Sequence, residues 1–221
     1  MPPWEVLTFD CYGTLVDWEE GIAGAFLARA RDGGITLDRR AVLAAYADVE
    51  PAVQREAFRP YREVLARSAV EVARRLAWTV GIEDAGFLPA SVPGWPVFAD
   101  TNPALRRMAA AGLELGILSN VDNDLIAATA RHFAVPFNFI VTAEDVGAYK
   151  PAHEHFLTAR RRVGPRRWLH VAQSWFHDVE PATALGIPVA WVNRKAEQPA
   201  GRAEPSVVVP DLAALADWLG A

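Results

Sequence analysis

From residue 102 onward the chain alternates helical and strand-like segments, and that alternation restricts its fold more than any other feature. Helical patterns over 102–111, 123–132, 152–163 and 179–185 are separated by short apolar runs at 113–118, 137–141, 168–172 and 188–192. A last run, Val207–Val209, precedes a terminal helical stretch over 211–219. Short apolar runs of this kind are the pattern of strands buried on both faces, and strands joined through helices pair in parallel. One more such run, Glu5–Asp10, stands alone near the start. Between it and the rest, residues 18–85 are Ala- and Leu-rich at helical spacing (21–31, 39–49, 62–77), with breaks at Gly33-Gly34, Pro51 and Pro60. Pro89, Pro93, Gly94, Pro96 and Pro103 then mark a linker. The expected fold class is α/β: a doubly wound, Rossmann-like parallel sheet core with an inserted all-helical domain. The expected bounds are 1–15 and 97–221 for the core and 16–96 for the insertion.

Composition narrows the function classes. The 221 residues are 52% apolar and 22% charged, with a formal net charge of -5. A nucleic-acid footprint needs a basic domain, so no nucleic-acid partner is expected. The densest basic stretch, Arg160–Arg162 with Arg166 and Arg167, only straddles a helix end and a loop. Cys11 is the single cysteine, which precludes an internal disulfide and suits a reducing compartment. No apolar run approaches the roughly 20 residues that span a bilayer, and the start lacks the pattern of a signal peptide. A cytoplasmic protein without a membrane partner is expected.

In a doubly wound sheet, ligands bind beyond the carboxyl ends of the strands. The polar residues at those ends form an ordered series. Asp10 closes the first run, with Tyr12 and Thr14 in its turn. Ser119 and Asn120 follow the second, Lys150 the third, and Gln173, Ser174, His177 and Asp178 the fourth. Singly, each has an ordinary reading: Asp10 or Asp178 as a helix cap, Ser119-Asn120 as a capping pair, Lys150 as a solvated charge. Jointly, at successive strand ends, they read as an active site. Trp4, Trp78, Trp95, Trp168, Trp191 and Trp218 read as packing, and His170, inside a strand, as a satisfied core histidine.

In order, Phe9-Asp10-Cys11-Tyr12-Gly13-Thr14-Leu15, Leu118-Ser119-Asn120, Tyr149-Lys150-Pro151 and His177-Asp178 resemble the four motifs of the haloacid dehalogenase superfamily. The likeness covers nearly the whole chain, with the helical insertion in the place of that superfamily's cap. Superfamily phosphatases carry a second Asp two positions after the nucleophile, as a general acid for the leaving alkoxide. Here that position is Tyr12, whose pKa near roughly 10 makes it a poor proton donor at neutral pH. A halide leaves without a proton, and the Asp-x-Tyr-Gly-Thr-Leu form resembles the 2-haloacid dehalogenases.

The resemblance implies a metal- and cofactor-free hydrolase of small 2-substituted carboxylic acids, with (S)-2-haloacids as the leading substrate expectation. Asp10 would attack C2 to form an aspartyl ester, which water then hydrolyses. Lys150 would keep Asp10 ionised, Asp178 would orient or activate water, and Thr14 would order the loop. Ser119 and Asn120 would hold the substrate carboxylate. Cys11, Tyr12, Ser174, Trp175 and His177 complete the expected substrate-facing set, Trp175 as a pocket wall. Arg40 (or Arg39) is the expected cap residue near the halide.

The stretch Ala172-Gln-Ser-Trp-Phe-His-Asp178 departs from well-known 2-haloacid dehalogenases. It resembles a branch that includes an azetidine-2-carboxylate ring-opening hydrolase, as do Tyr46, Glu50 and Tyr61 in the insertion. Ring opening of such an acid therefore stands as the alternative, since a protonated ring nitrogen also leaves without a general acid. A magnesium-dependent phosphatase using Asp10 and Asp178 ranks behind it, and a non-catalytic small-acid binder last. Many relatives are dimers, which leaves a homodimer open.

Overall fold

The computed structural model describes residues 4–221. Its first strand, β1 (Val6–Phe9), is completely buried. The helices α1 (Trp18–Asp32), α2 (Arg39–Gln54), α3 (Tyr61–Arg75) and α4 (Phe87–Ser91) follow. Then α5 (Thr101–Ala110), β2 (Glu114–Ser119), α6 (Asn123–Thr129), β3 (Phe139–Thr142), α7 (Ala143–Val146) and α8 (Glu154–Val163) lead into β4 (Trp168–Ala172). A π-helical turn, Trp175–Val179, runs into α9 (Glu180–Ala184), and β5 (Val189–Val192), β6 (Val207–Val209) and α10 (Leu212–Leu219) complete the chain.

The six strands form one parallel sheet in the order β3-β2-β1-β4-β5-β6. This is the doubly wound order, with its topological switch between β1 and β4, where the chain, having run outward from β1 to β3, crosses back to start the other half. The α/β class expected from the alternation is the one found. β1 lies between β2 and β4, with Thr8 in register with Gly116 on one side and His170 on the other. A Cβ at Gly116 would come within 2.6 Å of the Phe139 ring on β3, so only glycine lets that ring lie across the strand.

Contacts divide the chain into two units. One comprises the chain through Asp17 with Val97–Asn120 and Ala130–Ala221, and contains the sheet; the other comprises Trp18–Pro96 and Val121–Thr129. The helical unit takes in Val121–Thr129 beside Trp18–Pro96. The proline-rich stretch read as a linker overlaps α4 and holds a 3₁₀ turn at Val92–Gly94. The segment with α6 joins this unit because Asp122 caps α3: its Oδ1 and Oδ2 accept the backbone N–H groups of Tyr61 and Arg62 at 2.6 and 2.9 Å. Those donors are otherwise orphaned at a helix start, and a carboxylate there also meets the positive end of the dipole.

Within the helical unit, α1 passes close to the Trp95 ring, where a Cβ at Gly21 would lie 2.2 Å from the indole. Phe26 meets Trp78 and Phe87 edge-on. Pro51, expected to break its helix, sits inside α2. It falls in the last turn, so the bond it forfeits is one of few still to be made. Trp218, expected in the core, is 45% exposed on α10. Helix α10 is short and its inward stripe is already filled by Leu212, Leu215 and Leu219.

Candidate active site

At the end of β1 the backbone N–H of Asp10 still donates to Val171 on β4 (3.0 Å), so the strand pairing carries Asp10 to the edge of the sheet. The chain then turns sharply. The Cys11 carbonyl accepts N–H bonds from Thr14, Leu15 and Val16, and Gly13 adopts φ 107°, a conformation that side chains oppose. The turn brings the Thr14 hydroxyl back to donate to Asp10 Oδ2 at 2.9 Å, while Thr14 Oγ1 itself accepts the Gln173 N–H beyond β4, also at 2.9 Å. Arg194, paired with Asp100 and stacked 3.9 Å over Phe98, donates to the Thr14 carbonyl at 2.8 Å.

Lys150 is only 1% exposed, so the solvated reading of this residue fails. Its ammonium donates to Asp10 Oδ1 (2.9 Å), Asp178 Oδ1 (2.6 Å) and the Leu118 carbonyl (2.9 Å), which uses all three of its hydrogens. The Asn120 side chain clamps the Lys150 backbone, accepting its N–H at 2.7 Å and donating to its carbonyl at 3.1 Å. This revises the expected side-chain role of Asn120 from holding substrate to holding Lys150.

Asp178, in the π-helical turn, receives both Lys150 and His170 Nε2 (3.0 Å) on Oδ1. Its Oδ2 is buried with no hydrogen-bond partner among the described residues, as is Ser119 Oγ. Unspent buried acceptors are rare enough to require an explanation, and substrate or water is one.

The two carboxylates are driven apart. Burial raises Asp10 above the ordinary aspartate value, and the Lys150 charge offsets this only in part. Burial also acts on Asp178, but there Lys150 and His170 outweigh it and hold the carboxyl well below its usual range. For Lys150, burial is outweighed by the two carboxylates, and its pKa lies above the ordinary lysine value. A firmly ionised Asp178 beside a more basic Asp10 is the kind of split that separates roles between paired acids. The Lys150 ammonium lies between the two carboxylates, bonded to Oδ1 of each.

The structure brings Asp10, Thr14, Lys150 and Asp178 together, and Ser119 closes β2 next to Leu118, whose carbonyl holds Lys150. It does not bring every expected residue with them. Trp175, expected as a pocket wall, packs inward: it is 6% exposed, meets Trp191 edge-on at 4.8 Å and donates to Glu180. An indole that finds an aromatic partner gains more from burial than from a polar rim. Ser174 and His177 close on each other, the serine accepting the His177 N–H and pairing with Nδ1, both at 3.1 Å. Burial lowers the pKa of His177. Cys11 is fully buried and burial pushes its thiol up, leaving its carbonyl as the group that organises the turn. Tyr12 is half-buried beside Val16. In the helical unit Arg40 is exposed and Arg39 is committed to an exposed pair with Glu20 at 3.0 Å.

Glu50, on α2, bonds Gln54, and burial raises its pKa to about 7. Its unfolded value lies near 4.5, so the folded chain binds the proton more tightly. Stability from this group is therefore full below about pH 4.5 and lost as pH rises through about 7. Glu50→Gln is expected to remove that dependence: urea midpoints of the two proteins should agree at pH 5, with the variant higher at pH 8.

Sequence reasoning missed Asp122, His155 and the partnership of His170. His155 is buried, donates from Nε2 to the Ser119 carbonyl at 3.1 Å, and burial lowers its pKa to about 4. Only its position five residues after Lys150 hinted at this.

A parallel 3-2-1-4-5-6 sheet with a carboxylate after an inner strand, and a buried lysine joining it to a second carboxylate, defines a doubly wound α/β protein with a buried acid–lysine–acid cluster at its sheet edge. The chain belongs to the haloacid dehalogenase-like hydrolase family, whose model matches residues 4–187. It is 35% identical to an (S)-2-haloacid dehalogenase of Pseudomonas putida over 126 residues, 55% of this chain and 56% of that one. It is also 35% identical to haloacid dehalogenase-like hydrolase domain-containing protein 3 of Danio rerio over 104 residues, 46% of this chain and 43% of that one. The matched segment thus spans about half the length of these curated relatives. Among solved structures, L-2-haloacid dehalogenase from Xanthobacter autotrophicus with chloropropionic acid covalently bound superposes with a TM-score of 0.85 at 18% identity, covering 98% of each chain. A defluorinating L-2-haloacid dehalogenase gives 0.85 at 21% identity, covering 99% of this chain and 96% of that one. At these identities the structural likeness speaks for the fold.

Proposed function

We propose that this protein hydrolyses (S)-2-haloacids through an ester on Asp10, without a metal. The observation that carries the reading is the Lys150 ammonium shared between Asp10 and Asp178, deep in the site. Asp10 is basic for an aspartate and free to attack through either oxygen once a substrate displaces a hydrogen bond. Its carboxylate oxygen forms a bond to C2 as the carbon–halogen bond breaks and halide leaves with the electron pair. Attack opposite the departing halide inverts C2. Ser119, with its unspent hydroxyl, is the residue assigned to the substrate carboxylate, and the helical unit is assigned the role of cap.

Water then adds to the Asp10 ester carbonyl. Asp178 Oδ2 takes one of its protons and later releases it to solvent, the acyl–oxygen bond breaks, and the 2-hydroxy acid departs with the other hydrogen. Asp10 returns as a carboxylate carrying one oxygen from water. Lys150 offsets the charge on the carboxyl oxygens throughout, a fixed cation where negative charge collects. Tyr12, two positions after the nucleophile, is a poor acid at neutral pH, which disfavours alkoxide leaving groups.

Single-turnover mass spectrometry in oxygen-18 water tests this, with L-2-chloropropionate as the probe and no added metal. The peptide containing Asp10 should gain one label. Asp178→Asn should release one equivalent of halide and then stall as the ester. Label appearing only in the product hydroxyl, with none in Asp10, would mean direct attack by water and overturn the reading. Labelling by azetidine-2-carboxylate alone would keep the nucleophile and replace the substrate.

A further inference from the structure

A chain of buried hydrogen bonds leads away from Asp178 through the middle of the sheet. His170 Nε2 meets Asp178 Oδ1 at 3.0 Å, and its Nδ1 lies 2.9 Å from Thr8 Oγ1 on β1. Thr8 Oγ1 also accepts the indole N–H of Trp168 at 2.7 Å. Thr8 and His170 are opposite each other across the parallel pair, and Trp168 lies two residues before His170 on the same face. Thr8 and His170 are wholly buried, and Phe156 meets the imidazole edge-on at 5.2 Å, so the ring is flanked as well as bonded at both nitrogens.

The direction of this chain is set from its carboxylate end. An ionised carboxylate only accepts, so the hydrogen between His170 and Asp178 belongs to Nε2. In the neutral imidazole Nδ1 is then an acceptor and takes the Thr8 hydrogen, while the indole of Trp168, which can only donate, occupies a lone pair of Thr8 Oγ1. Lys150 and His170 both spend their donors on Oδ1, while Oδ2 is left without a partner among the described residues. Of the two donors, only His170 is dedicated: the Lys150 ammonium divides itself among three acceptors and must follow Asp10 as it becomes an ester.

We propose that His170 is a positioning residue for ester hydrolysis, holding Asp178 by Oδ1 so that Oδ2 is the oxygen presented to water, with Thr8 and Trp168 supporting the imidazole tautomer. This rests on the ester mechanism proposed above. It assigns His170 to the second half-reaction alone, because the attack of Asp10 on C2 does not use Asp178.

The test separates the half-reactions. With L-2-chloropropionate, His170→Leu should release the first equivalent of halide at close to the wild-type rate. Steady turnover should fall roughly 100-fold, within the range that general-base catalysis supplies. Intact-protein mass spectrometry should find the ester accumulated. His170→Gln, whose amide N–H can still reach Oδ1, should recover at least about tenfold of that loss, the worth of one hydrogen bond to a charged group. Equal loss of burst and turnover in His170→Leu, or no recovery in His170→Gln, overturns the assignment. Should His170→Leu not fold, the nitrogen-15 spectrum of the wild-type imidazoles decides: a hydrogen on Nε2 of His170, lost or redistributed in Thr8→Val, supports the chain, and a hydrogen on Nδ1 alone overturns it. That spectrum needs no substrate, so it stands apart from a failure of the wild type to release halide, which would count against the dehalogenase reading instead.

Discussion

Lys150→Met is expected to lose both activity and stability. Among the described residues the ammonium is the only cation bonded to two buried carboxylates, Asp10 and Asp178, and it fills its third donor with the Leu118 carbonyl. Methionine matches the stem but leaves both acids uncompensated in a site where burial already opposes their charge. Breaking a buried ion pair from one side costs on the order of 3–5 kcal/mol. The remaining carboxyls can escape only by taking up protons, so their folded pKa values rise above the unfolded ones. The deficit should therefore be largest at high pH and shrink as pH falls. Urea unfolding of both proteins at pH 5 and pH 8, read beside halide release, measures this. A midpoint unchanged at pH 8 would mean that Lys150 is not the counter-charge.

Asp10→Asn should separate function from stability in the opposite way. An amide is a far weaker nucleophile than a carboxylate, so turnover should fall by at least about 10⁴-fold, as when a nucleophile is removed from a covalent mechanism. Stability should hold or rise. The ionised Asp10 sits in a site where burial and the Asp178 charge both raise its pKa. Neutralising it leaves Lys150 paired with Asp178 alone, a balanced pair, and relieves like-charge repulsion. Active sites commonly carry such strain, and removing it stabilises the fold. Halide assays give the first result and thermal melting the second. A variant melting well below the wild type would show that Asp10 contributes more to the fold through Thr14 and Lys150 than it costs.

Much of this site was legible without coordinates. Asp10, Ser119, Lys150 and Asp178 each follow an apolar run, and a parallel sheet places all such positions at one edge. What was not legible is how side chains spend their hydrogen bonds. Asn120 reads like a substrate ligand but is consumed by the Lys150 backbone. Trp175, beside the last motif, turns inward to Trp191 because the π-helical turn gives it an apolar partner that no local pattern announces. His170 was read correctly as satisfied, yet its partner Asp178 lies across a turn whose geometry the sequence does not state.

By itself, the sequence determined the α/β class, the helical insertion and the order of the polar residues along the sheet edge. These follow from periodicity and chain order, which are one-dimensional properties. Only the tertiary structure decided that Lys150 is buried rather than solvated, that Asp122 ties α6 to α3, and that Thr8 on β1 and Trp168 and His170 on β4 form one line of hydrogen bonds ending on Asp178. Each of these joins residues separated by tens to more than a hundred positions, and directional bonds over such separations exist only once packing has brought the partners to within about 3 Å.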